Sequence, residues 1–235
     1  MFYIIGVLAA IVAGASDMIG GWIAQHPRIA RASARYFIAF AAGTVIAAAF
    51  FEILPQVSFR TEAYYVALGF FLFYFLERMV MIHSCGEGEC KTHNLSAVSV
   101  MGMASDNVVD GAGIALGFLT NPVLGVILTI AVIVHEIPQG LSSGIIMKTQ
   151  RYSRRKIYAV LGLAAVLYPI GAIASSFIPP AFYTAALAFV AGDFLYIGAS
   201  DLLPEAHKKF NFKVIGCVFL GVAFILLLSL LAPGA

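Results

Sequence analysis

Apolar residues run for about twenty positions at a time along this chain, and the runs recur eight times. About 20 mostly apolar residues is the length a helix needs to cross the hydrocarbon layer of a bilayer. The runs cover approximately 2–24, 36–57, 62–82, 97–119, 122–147, 156–177, 181–203 and 212–232. Pro122 and Pro180 suit first-turn helix positions, where no amide hydrogen is needed. Only 11% of the residues are charged, against roughly 25% in a soluble domain. The expected fold class is therefore an all-α membrane protein of eight transmembrane helices, in a single domain over residues 1–235. Residues 1–24 lack the basic segment and cleavage pattern of a secretory signal and read as the first span.

Basic residues set the expected orientation. Arg28, Arg31, Arg35, Arg78, Lys91, Lys148, Arg151, Arg154, Arg155, Lys156, Lys208, Lys209 and Lys213 fall in or beside odd-numbered loops. Only Arg60 falls in an even-numbered one. The odd loops are thus expected in the cytoplasm, with both termini extracellular on a multi-pass protein of the cell membrane. That places the 83–96 loop, between spans 3 and 4, in the cytoplasm.

Against this apolar background, two polar clusters stand out. Asp106-Asn107-Val108-Val109-Asp110-Gly111 lies in span 4, and His135-Glu136-Ile137-Pro138-Gln139-Gly140 in span 5. Each reads polar pair, apolar pair, polar residue, glycine. Ionisable groups at bilayer depth are costly and mark cavities or ion paths. Residues four apart share a helix face, so Asp106 pairs with Asp110 and His135 with Gln139. Asn107 and Glu136 sit one residue round from those faces. Three carboxylates, one imidazole and two amide oxygens suit a divalent first-row metal. Pro138 removes a helical hydrogen bond to Val134 and is expected to open the helix beside His135.

A second pair of matching segments supports an inverted repeat. Ala42-Gly43 precedes Glu52-Ile53-Leu54-Pro55-Gln56, and Ala191-Gly192 precedes Asp201-Leu202-Leu203-Pro204-Glu205 at the same offset. The matched spans run in opposite directions. The expected architecture is an inverted repeat of spans 1–3 and 6–8 around a central antiparallel pair, spans 4 and 5, with the site near the midplane.

Other polar residues suggest a route. Glu52 is expected to attract cations at the outer vestibule, and Asp201, Glu205 and His207 to release them at the inner end. His83, Cys85, Cys90 and His93 surround the cytoplasmic loop and offer the thiol and imidazole groups that capture zinc. Asp17 and Asp193 are read as acceptors of helix–helix hydrogen bonds, with a proton path as the alternative.

These motifs together resemble the ZIP (Zrt/Irt-like) family of divalent metal transporters, prokaryotic type. The family's fourth-span pattern, H-N-x-x-[DE]-G, resembles the segment from Asp106 to Gly111. Its fifth-span pattern, H-[ED]-x-P-[HE]-G, resembles the segment from His135 to Gly140. Residues 69–83 and 192–205 resemble its third and seventh spans. The resemblance implies eight spans and metal uptake toward the cytoplasm. It implies a first metal position at Asp106, Asp110, His135 and Gln139, and a second at Asn107, Asp110 and Glu136. Asp106 and Gln139 depart from the family pattern, and span 6 offers Tyr168 but no carboxylate or histidine. A single oxygen-rich site is therefore expected in preference to a paired zinc centre.

The expected function is transport of a divalent transition metal, Zn, Mn, Fe or Cd, toward the cytoplasm through the midplane site. That metal is cargo, and no cofactor is expected. The expected partners are divalent metal ions and the lipid bilayer, with a homodimer as a further possibility and no nucleic acid. The alternatives are an intramembrane metalloenzyme and a metal sensor on a transporter scaffold. An enzyme is disfavoured because Gln139 replaces the second histidine of H-E-x-x-H.

Overall fold

The computed structural model describes residues 1–85, 97–208 and 211–231, with side chains described outside 27–34, 80–85, 97–104 and 149. Among the described residues every regular element is helical. Span 1 is α1 (Phe2–Ala24), span 3 is α3 (Phe59–Cys85), and span 4 is α4 (Ala97–Thr120). Span 5 is α5 (Pro122–Thr149) and span 8 is α10 (Phe212–Leu231). Span 2 is α2 (Pro27–Ala47), continued by a π turn at Ala48–Ile53 and a 3-10 turn at Leu54–Gln56. Span 7 is α8 (Tyr183–Tyr196), a π turn at Ile197–Leu202, and α9 (Leu203–Ala206). Six segments are long and apolar enough to cross a bilayer by length and composition. The remaining two, α3 and α4, have 27 and 24 residues.

Proline and capping residues explain the boundaries. Asn121 caps α5: its Oδ1 accepts from the Val123 amide at 2.9 Å, and Pro122 fills the first turn. Span 6, expected as one helix over 156–177, is instead split into α6 (Arg154–Ala165) and α7 (Leu167–Ala174). Pro169 has no amide hydrogen for the Ala165 carbonyl, and its ring crowds that carbonyl. The helix breaks at Val166, between the two. By contrast, α5 runs unbroken through Pro138, so the opening expected there occurs in span 6.

The two π turns occupy matching places. Glu52 lies in the first and Asp201 in the second, and each turn is followed closely by Leu-Pro. Pro55 and Pro204 withhold the amide hydrogen that Phe51 and Ser200 would receive, and the chain widens into π geometry.

Reciprocal glycine contacts draw four helix pairs together. A Cβ on Gly20 would lie 2.2 Å from the Ile137 oxygen, and one on Gly140 would lie 2.0 Å from the Asp17 oxygen. These contacts join α1 to α5. Gly111 meets the Tyr168 oxygen and Gly171 the Val108 oxygen, each at 1.9 Å, joining α4 to α7. Gly43 and Gly221 join α2 to α10 against Val218 and Phe40, and Gly69 and Gly192 join α3 to α8 against Phe189 and Val66. Small residues permit such close backbone approach where no water drives packing. α4 also packs on α5, its neighbour through the short link at Asn121. Outward faces carry exposed Leu68, Phe71, Phe75, Phe219, Leu220 and Leu227.

Candidate metal centre

α4 and α5 bring their polar clusters together in the interior. Asp106, Asn107, Asp110, His135 and Glu136 are all buried, and Gln139 is half-buried. One nitrogen or oxygen from each of Asp110, His135 and Glu136 lies within 4.8 Å of the others. His135 Nε2 is 3.3 Å from Asp110 Oδ2 and 3.1 Å from Glu136 Oε1. Its other nitrogen, Nδ1, is 3.0 Å from the Ala131 carbonyl.

That last contact carries chemical information. A carbonyl can only accept, so Nδ1 bears hydrogen and donates to Ala131. In the neutral ring Nε2 is then a lone pair facing two carboxylate oxygens. A backbone contact that fixes the ring in this way is how metal-binding histidines are oriented. Protonating Nε2 would satisfy one oxygen. Asp110 Oδ1 and Glu136 Oε2 have no hydrogen-bond partner. One donor atom from each of the three residues could reach a shared divalent cation, and the N/O donor set fits a first-row metal.

The surrounding amides divide differently from expectation. Gln139 Nε2 donates to Asp106 Oδ2 at 3.0 Å, which turns the amide toward α4 as a donor. Asn107 Nδ2 donates to the Ala164 carbonyl of α6 at 3.1 Å, leaving Oδ1 buried and unpaired. The compact triad thus draws Asp110 and His135 from the first expected set and Glu136 from the second.

Three further groups line the same interior. Asp17 of α1, Tyr168 of α7 and Asp193 of α8 are buried. Asp17 lies within electrostatic reach of Glu136 and Asp106. Tyr168 lies within reach of Glu136, Asp110 and Asp17. Asp193 lies within reach of Asp106, Asp110, His135 and Glu136. All four oxygens of Asp17 and Asp193 lack a hydrogen-bond partner, which corrects their reading as helix–helix acceptors. The phenolic oxygen of Tyr168 is likewise unpaired. The sequence signal was an isolated carboxylate in an apolar run; its neighbours were invisible, because they come from distant spans.

The outlying residues stay apart from the triad. Glu52 is buried beside Ser229 of α10, with Oε1 unpaired. Asp201 is exposed, and Glu205 pairs with Lys208 one turn on. His207 is exposed, with Nδ1 2.9 Å from the Leu203 carbonyl. Cys90 and His93, and the side chains of His83 and Cys85, lie outside the described residues.

Comparison with known proteins points the same way. A family model described as ZIP Zinc transporter matches residues 82–229, more than half of the chain. Zinc transporter zipt-7.2 of Caenorhabditis elegans is 26% identical over 151 residues, covering 58% of this chain and 33% of that protein. Zinc transporter ZIP13 of Pongo abelii is 28% identical over 150 residues, covering 62% of this chain and 45% of that protein. Zinc transporter ZIP13 of Homo sapiens is 30% identical over 118 residues, covering 44% and 31% respectively. The matches span less than half the length of these relatives. The relatives are transporters, not enzymes. With both helical clusters inside the matched region, the chain belongs to the ZIP zinc transporter family.

Proposed function

We propose that this protein carries divalent transition-metal ions across the membrane toward the cytoplasm, through a midplane site built on Asp110, His135 and Glu136. The observation that carries this reading is His135 Nε2, held 3.3 Å from Asp110 Oδ2 and 3.1 Å from Glu136 Oε1, with the remaining oxygens of both carboxylates unpaired. Asp106, Asn107 and Gln139 complete the polar wall around the ion. The oxygen-rich donor set widens the range from Zn to Mn, Fe and Cd. Glu52 serves the outer approach; Asp201, Glu205 and His207 serve release, and basic loops put both termini outside.

Alternating exposure of the site would come from an inverted repeat of spans 1–3 and 6–8 around spans 4 and 5. Two features support that reading. The glycine contacts of α1 with α5 recur between α7 and α4, and those of α2 with α10 recur between α8 and α3. The paired π turns carry Glu52 and Asp201 at equivalent places. The test is metal uptake into sealed proteoliposomes. Asp110→Asn combined with Glu136→Gln should abolish Zn, Mn and Cd flux.

A further inference from the structure

The turn between α5 and α6 concentrates positive charge that nothing in the described fold offsets. Arg151, Arg154, Arg155 and Lys156 are all exposed. Among the described residues no carboxylate pairs with any of them, although Lys156 lies over the Tyr152 ring at 4.3 Å. By contrast, Lys208 pairs with Glu205, and Lys148 Nζ donates to the Ala24 and Gln25 carbonyls at the end of α1. Arg154, Arg155 and Lys156 form the first turn of α6, where the helix dipole opposes cations and where no acidic residue stands. Arg151 is held at a φ of 62°, a left-handed position that favours glycine.

The same helix shows what kind of anion fits. The stretch Arg154–Phe177 is long and apolar enough to cross a bilayer, so the basic turn stands at the bilayer's edge. The inner face of α6 is buried at Ile157, Leu161 and Ala164, and a Cβ on Gly21 of α1 would lie 2.1 Å from Leu161. Its outer face is apolar and open: Leu163 is 65% exposed, and Val166, where the helix ends, is 52% exposed. Leu163 follows Arg155 and Lys156 by about two helical turns, so the three share one side of α6. At 1.5 Å per residue the cations stand roughly 10–12 Å beyond Leu163. A cationic end on an apolar strip matches an amphiphile with an anionic head and a hydrocarbon tail. A free anion would meet the charge and leave the strip uncovered.

We infer that the α5–α6 turn is a docking surface for an anionic phospholipid, with Arg155 and Lys156 on its phosphate and an acyl chain along Leu163 and Val166. Guanidinium groups suit phosphate because their planar fork donates two parallel hydrogen bonds. Basic clusters beside a span attract anionic lipids by about fivefold in affinity per cation. Orientation of the chain needs only an excess of basic residues on one side; a docking surface needs them at these positions. The far end of α6 backs the metal centre, since the Ala164 carbonyl accepts from Asn107 Nδ2 at 3.1 Å. A lipid held at Arg155 thus anchors a helix that touches the site.

The test uses the full-length chain in neutral detergent, with phosphatidylglycerol and phosphatidylcholine of the same acyl chains counted on it by native mass spectrometry. Wild type should bind phosphatidylglycerol about tenfold more tightly or better. Arg151→Gln/Arg154→Gln/Arg155→Gln/Lys156→Gln should lose that preference and keep wild-type phosphatidylcholine binding, which also reports an intact apolar surface. Arg155→Gln alone should weaken phosphatidylglycerol by about fivefold. Arg60→Gln/Lys213→Gln removes exposed cations elsewhere and should keep the preference. The proposal is overturned by a wild type without the preference, by a quadruple variant that retains it, or by an equal loss in the Arg60→Gln/Lys213→Gln control. Displacement of the lipid by equimolar inorganic phosphate would also overturn it, in favour of a site for free anions.

Discussion

Replacing Gly111 by alanine tests how tightly the site depends on close helix packing. The new Cβ would lie 1.9 Å from the Tyr168 carbonyl oxygen, 2.7 Å from its carbon and 2.8 Å from its Cα. A carbon–oxygen contact takes about 3.3 Å, so α4 and α7 must separate by about 1.4 Å. Backbone cannot yield as the end of a flexible side chain does, and overpacking of this kind costs about 1–3 kcal/mol. Gly111 follows Asp110 directly, so the shift moves a triad carboxylate and Tyr168 together. A misplacement of about 1 Å at a functional centre costs about 100-fold. Thermal unfolding in detergent and Cd2+ affinity by calorimetry would read both effects. Gly216→Ala is the control, because a Cβ there meets nothing within 4 Å. A Gly111→Ala protein with the stability and Cd2+ affinity of Gly216→Ala would refute the reasoning.

Two other substitutions separate fold from site. Asn121→Ala removes the cap on Val123 and should lower stability by about 1 kcal/mol in denaturant titration, with metal affinity unchanged, because Asn121 lies outside the cluster. Gln139→Glu replaces a donor 3.0 Å from Asp106 Oδ2 with a like charge. The metal-free protein should lose about 1.5–3 kcal/mol, and Zn2+ should raise its melting temperature more than it raises that of wild type. An unchanged metal-free melting temperature would count against the Gln139–Asp106 contact.

Much of the architecture could be read from spacing alone. α1 begins and ends where its apolar run does, and the Thr120-Asn121-Pro122 break sets α4 against α5. The doubled clusters marked the interior faces, because four-residue spacing fixes a helix face. Two internal prolines with the same local chemistry behaved differently. Pro138 sits in an unbroken α5, whereas the helix before Pro169 ends at Val166. The Ala165 carbonyl left behind lies 2.6 Å from where a Cβ on Gly14 would be, so α1 packs directly on the break. That is a tertiary fact with no local signal. For the same reason the gathering of Asp17, Tyr168 and Asp193 was hidden. Periodicity identifies the face a residue occupies, but not which distant helix that face meets. The register of Gln139 places its amide on the site face, and the amide nitrogen donates to Asp106 Oδ2, a contact that spacing alone does not give.

The central claim is that cations cross through the triad of Asp110, His135 and Glu136. Uptake into sealed proteoliposomes tests it most directly, with wild type, Asp110→Asn/Glu136→Gln and the Gly216→Ala control reconstituted at matched density. The account predicts saturable Zn, Mn and Cd uptake by wild type and the control, and only background leak for the double variant. Wild-type flux through the double variant would contradict it.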